Sequence, residues 1–175
     1  MDDRLSLRYP LTYVTLTTVG DIDIFTNSFY LELLITNLEY CQQHKGLEIY
    51  AYLVTGNKLC LVSRCHTGGL NRVLGHFKSY TAKLILTHIE EDETESRKDW
   101  LLHMFRFHAR FKSGYDEYHL WEENNNSVQL LTNKDFAGAM NAIHHIPVES
   151  GWVSEPAHWR FSSAHLPMLL TTNSL

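Results

Sequence analysis

Residues 13–19, Tyr-Val-Thr-Leu-Thr-Thr-Val, alternate apolar and hydroxyl-bearing positions and are rich in β-branched side chains, which predicts a strand. The period then changes. Tyr30, Leu31, Leu34, Leu38 and Cys41 recur at steps of three and four, so a helix is expected behind Thr26 or Asn27 as N-cap, running to about Lys45. Gly46 supplies a C-terminal stop. Residues 47–54 and 58–63 read as two further strands joined through the turn dipeptide Gly56-Asn57, an antiparallel hairpin that Thr67-Gly68-Gly69 ends.

The next helix is the clearest in the chain. Leu70, Val73, Leu74, Phe77, Thr81, Leu84 and Ile85 fall on one face. Arg72, His76, Ser79 and Lys83 form a second, polar and basic stripe at i, i+4, i+7 and i+11. That stripe reads either as a solvated face or as a row lying along a phosphate backbone. Residues 90–115 look like a helical insertion, with Trp100, Leu101, Met104, Phe105 and His108 on its apolar face. Residues 118–121 and 127–131 read as short strands around the Asn124-Asn125-Asn126 turn. Thr132 and Asp135 open a last helix with a capping-box pattern, and that helix is expected to stop before Pro147. The order predicts a single α+β domain over residues 1–166, helices packed on one face of an antiparallel sheet, and a loose tail at 167–175.

Composition narrows the picture modestly. The chain has 175 residues, 44% hydrophobic and 20% charged, an ordinary globular balance. No apolar run approaches the ~18–20 residues of a membrane span, and the acidic Met1-Asp2-Asp3-Arg4 start is not that of a signal peptide. Three cysteines, Cys41, Cys60 and Cys65, suggest a reducing cytoplasm rather than a disulfide framework. Net charge is −5, unfavourable for a DNA binder, yet residues 49–89 hold no Asp or Glu while carrying Lys58, Arg64, Arg72, Lys78 and Lys83 with His66, His76 and His88. A locally basic surface on an acidic protein is compatible with nucleic acid and also with chance clustering.

Several landmarks occur together in order: Tyr13-Val14-Thr15-Leu16-Thr17-Thr18 with Phe25-Thr26; Leu47-Glu48-Ile49-Tyr50-Ala51-Tyr52 leading to Asn57 and Leu61-Val62; Phe77-Lys78-Ser79-Tyr80-Thr81-Ala82; and Pro147-Val148-Glu149-Ser150-Gly151 with Pro156, Trp159 and Phe161-Ser162-Ser163. On these the chain, over roughly residues 9–165, resembles the single-tyrosine (HUH-type) transposases of small bacterial insertion sequences, especially their REP-associated, domesticated branch. The resemblance implies a ferredoxin-like (RRM-like) fold, a homodimer, a cytoplasmic bacterial setting, and single-stranded or hairpin DNA as partner. It also implies a site. Two histidines at i and i+2 of a strand hold a divalent ion such as Mg or Mn that polarises the phosphate. A helical tyrosine attacks to form a phosphotyrosine link. A polar residue one turn later completes the metal site.

Here those four positions hold Lys58, Cys60, Ala142 and Ile146. A protonated lysine has no lone pair for a metal, a thiolate is too soft for magnesium, and alanine and isoleucine offer neither nucleophile nor ligand. The expectation is therefore a relic without catalytic residues, metal ligands or cofactor, which keeps DNA contacts at Lys58, Arg72, His76, Lys78 and Lys83. Cys60, Cys65 and His66 fit no zinc-finger spacing, and His144 and His145, adjacent on a helix, cannot both face one ion. Two rivals stand beside this reading: a strand-transferase with a rewired site using Tyr80 or Tyr115, and an interaction protein that has lost DNA, which the −5 charge favours. The apolar surface around Trp100 and Phe105 is the expected extension of a dimer interface.

Overall fold

A computed structural model describes residue 5, residues 8–111 and residues 117–175. Tyr115, the last residues of the expected insertion and the Met1–Arg4 start lie outside the described residues. The strands β1 (Leu11–Thr17), β2 (Leu47–Val54), β3 (Lys58–Cys65) and β4 (Asn126–Leu130) form one antiparallel sheet in the order β2-β3-β1-β4. The helices are α1 (Ser28–Lys45), α2 (Leu70–Glu91), α3 (Lys98–Ala109) and α4 (Asn133–Glu149). This βαββαβ order, with α3 inserted before β4, is the ferredoxin-like α+β arrangement.

Side-chain alternation divides the sheet between two cores. Val14, Leu16, Ile49, Tyr52, Leu59 and Leu61 face α1, α2 and α3. Leu11, Tyr50, Ala51, Leu53, Cys60 and Val62 face α4, with Ile143 over them. A bulge between Ile49 and Ala51 lets Tyr50 and Ala51 share one face, so β2 changes parity along its length. The expected packing on one sheet face describes α1, α2 and α3; α4 departs from it and covers the opposite face.

Local signals explain most element bounds. The Asn27 side chain accepts the Phe29 N–H, and Gly46 ends α1 at φ 70°, a left-handed turn that favours glycine. Thr132 and Asp135 form the reciprocal capping box of α4. Thr81, inside α2, is tolerated because its hydroxyl donates to Phe77 O (2.8 Å) and accepts from Trp121 Nε1 (3.1 Å). Trp121 in turn packs on Phe25 and Phe77.

Four expectations need correction. Residues 118–121 form no strand. Leu120 and Trp121 turn into the core, and only a bridge from Thr18 to Trp121 remains. The insertion is not one helix from residue 90, because α2 runs on to Glu91 and α3 begins at Lys98. The last helix passes through Pro147. Proline forfeits one hydrogen bond, yet its ring and Ile143 are buried, and Ser150 N still reaches Ile146 O at 3.0 Å. The tail at 167–175 is docked, not loose. Leu170 is buried, Asn173 N donates to Ile49 O (2.7 Å), and Asn173 Oδ1 accepts from Ile49 N (3.0 Å). Backbone groups on the outer edge of β2 need partners, and the segment from Phe161 onward supplies them. No helix among the described residues is long and apolar enough to cross a membrane.

Candidate functional site

Lys58 and Cys60 stand two apart on β3, so both belong to the sheet face that carries α4. Opposite them on β1 are Thr17 and Thr15. Cys60 is 3% exposed, in the cluster that contains Ile143 and is packed by Tyr13 and Ile146. Its thiol accepts from Thr15 Oγ1 at 3.7 Å, and burial pushes its pKa up. It is a protonated core thiol. The structure thus brings Cys60 and Ile146 into one apolar cluster. Lys58 lies at the hairpin end of β3, where its ammonium pairs with Asp21 Oδ1 at 3.8 Å. Ala142 is exposed on α4, next to the inward-facing Ile143.

This donor set does not fit a hard divalent ion. An ammonium, a buried thiol and an isoleucine offer no oxygen or imidazole ligand. Among the described residues no group of three or more His, Cys, Asp or Glu side chains converges on one point. Tyr13 is a phenol that motif reading passed over, because it comes from β1 and not from α4. It sits beside Cys60, and burial first, then the Cys60 sulfur, push its pKa up to about 12. A phenol in that state is a poor nucleophile at neutral pH. Cys65 donates to Thr67 O at 2.8 Å and His66 pairs with Glu48 at 3.3 Å, which gives both structural partners.

The basic residues of the acid-free segment separate into anchored and open ones. Arg64 Nε bonds Glu48 Oε2 at 2.7 Å, and the Tyr50 hydroxyl donates to the same oxygen at 2.7 Å. Burial raises the Glu48 carboxyl, but these two hydrogen bonds and the Arg64 charge prevail and hold it below its ordinary value. Lys78 is anchored as well. Its ammonium donates to Glu122 O, Glu123 O and Asn125 Oδ1, each at 2.9 Å. Those three bonds match its three donors, and burial holds its pKa down despite Glu123 and Glu122. Lys78 therefore ties α2 to the segment leading into β4.

Arg72, His76, Ser79 and Lys83 are exposed along α2, in the spacing the sequence predicts. Arg72 and Lys83 make no ion pair with a described residue. His76, Ser79 and Tyr80 also line an open apolar groove of about 1050 Å³ between α1 and α2, with Phe29, Leu33 and Tyr40 on its other wall. Tyr80 is 57% exposed there. Because α2 covers one sheet face and Lys58 belongs to the other, the sheet separates Lys58 from the α2 stripe.

His144 links α4 to the docked tail. Its Nε2 lies 2.8 Å from Ser163 Oγ, and Ser163 Oγ accepts from Tyr52 N (3.1 Å) on β2. Burial, and then the neighbouring His145, push its pKa below the ordinary 6.5. The fold therefore favours the neutral ring. Its contribution is complete above the unfolded-state pKa and is lost as pH falls through the lower folded value. Chemical-denaturation midpoints taken from about pH 7.5 to about pH 5.5 are expected to fall, and His144→Gln, which keeps a hydrogen-bonding side chain, is expected to flatten that dependence. An unchanged slope in the variant would refute the assignment.

No family model matches the sequence, and no curated protein matches it. Among solved structures, the fold is similar to that of a REP-associated tyrosine transposase bound to a REP hairpin. The TM-score is 0.59 at 15% sequence identity, over 88% of this chain and 76% of that one. The likeness establishes a transposase-like fold.

Proposed function

We propose that this chain is a DNA-binding protein on a transposase-like scaffold that holds single-stranded or hairpin DNA without cutting it. The observation that carries this reading is the split of the lost site from the exposed basic stripe. The positions matching metal ligands are a salt-bridged lysine, a buried thiol and an apolar side chain, whereas Arg72 and Lys83 stand open on α2 beside His76. The solved neighbour is bound to a hairpin, which supports DNA as the class of partner. Lys58 belongs to a second, separate contact region at the β2–β3 hairpin. A homodimer, which the family resemblance implies, would not use Phe105, which lies inside the core.

The test joins a mobility shift on a DNA hairpin to a denaturing gel. Retention at low salt that fades with added salt is expected, with no covalent adduct when Mn²⁺ is present. Binding absent at low salt, or indifferent to salt, would defeat the DNA reading. A covalent adduct would defeat the inactive reading in favour of a rewired enzyme, and its loss in Tyr13→Phe or Tyr80→Phe would identify the nucleophile.

A further inference from the structure

We infer that Trp152, stacked on Trp159, is a platform for an unpaired nucleobase. This rests on the DNA reading and adds the part of the ligand that an indole recognises. After α4, Gly151 turns the chain at φ 74°, and Trp152 N is held by Pro147 O at 3.0 Å. The Trp152 and Trp159 rings then lie 5.2 Å apart, tilted by 33°. Trp159 is half-buried against the α4-side core, and its Nε1 donates to Val54 O at 2.8 Å. That bond fixes the inner indole to the last residue of β2. The outer indole is left 51% exposed on a rigid support.

Placement and chemistry select the occupant. Val54 pairs with Leu59, so the stack sits at the same end of the sheet as Lys58, where β3 begins. Arg160 follows Trp159 in the chain and is exposed, with its guanidinium 5.5 Å from the centre of the Phe161 ring. A flat, anchored ring at the Lys58 end of the sheet suits a nucleotide, with the base on the indole. The exposed aromatic area is one indole, Trp152, beside a half-buried Trp159. A stable protein interface needs roughly 800 Å² per partner, far more than one indole face. A paired base presents its edges and not its face, so the platform selects single strands.

The measurement is affinity, with tryptophan fluorescence quenching as a second readout, for single strands of about 12 thymidines or about 12 uridines and for a blunt DNA duplex. Trp152→Ala should weaken single-strand binding about tenfold or more, Trp152→Phe should keep most of it, and duplex binding should not change. Equal loss for thymidine and uridine strands assigns the contact to the base, and loss confined to one strand restricts the platform to that nucleic acid. If Trp152→Ala binds both single strands as tightly as the parent chain, the platform is wrong, and the DNA reading stands as long as Arg72 and Lys83 variants still weaken hairpin binding. If no nucleic acid binds even at low salt, both are overturned.

Discussion

Replacing Arg72 and Lys83 together by glutamine is expected to flatten the salt dependence of hairpin binding by about 1.8 in the log–log slope, about 0.9 for each phosphate contact removed. The corresponding affinity deficit is largest in dilute buffer and narrows by about tenfold between roughly 50 and 200 mM salt, since a fourfold salt change raised to that power is about twelve. The physical ground is that both side chains are exposed on one face of α2, one on each side of His76, and neither forms an ion pair with a described residue. Glutamine keeps helix propensity close to that of arginine and lysine, so folding should be spared. Lys78→Gln is the discriminating control. That ammonium is consumed by Glu122 O, Glu123 O and Asn125 Oδ1, so its removal should lower stability and leave the salt slope in place. Equal slopes for the double variant and the parent chain would exclude the α2 stripe as the phosphate contact.

The largest stability loss is expected at Phe105→Ala, about 3–5 kcal/mol from lost burial and the cavity left behind. Phe105 is fully buried among core residues that include Leu101, Leu120 and Trp121, although it belongs to the segment the sequence marks as an insertion. For a chain of this size each kcal/mol moves the thermal midpoint by about 2–4 °C, so a fall of about 10 °C is anticipated. Trp100, one turn earlier in α3, is 50% exposed, and Trp100→Ala should cost under about 1 kcal/mol. Comparable losses at the two positions would mean that α3 packs differently. Of the pair, Trp100 is exposed and Phe105 is not, and Phe107 and Phe111 are the other exposed aromatic side chains of this segment.

Legibility tracks how local the determinants are. The bounds of α1 follow from Asn27, the helical spacing and Gly46, and the β2–β3 hairpin follows from Gly56-Asn57 between two apolar runs. The stripe on α2 is equally local, being a matter of period. Where a distant contact decides, the sequence misleads. Pro147 carries a strong stop signal that burial against the sheet overrides. Residues 118–121 look like a strand, but Trp121 is drawn inward by Thr81, forty positions away. Lys78 has the same apparent chemistry as Lys83, and only the return of residues 122–125 across α2 distinguishes anchor from open cation. The sequence does not show that Tyr13 meets Cys60 or that Trp159 is anchored to Val54, since each contact joins elements far apart in the chain.

The docking of the C-terminal segment on β2 has a consequence for solution behaviour. β2 is eight residues long, almost wholly apolar and largely free of charge, and the bonds from Phe161, Ser163 and Asn173 occupy its outer edge. Stripped of that cover it would present a flat row of vacant amides and carbonyls, a template on which other chains add strands. The opposite edge, β4, is only five residues long and carries Asn126, Ser127 and Gln129, so it is the poorer template. Loss of the whole segment from Phe161 onward would bare that edge, whereas a cut near Leu166 frees only Ile49 and leaves Tyr52 and Val54 covered by Ser163 and Phe161.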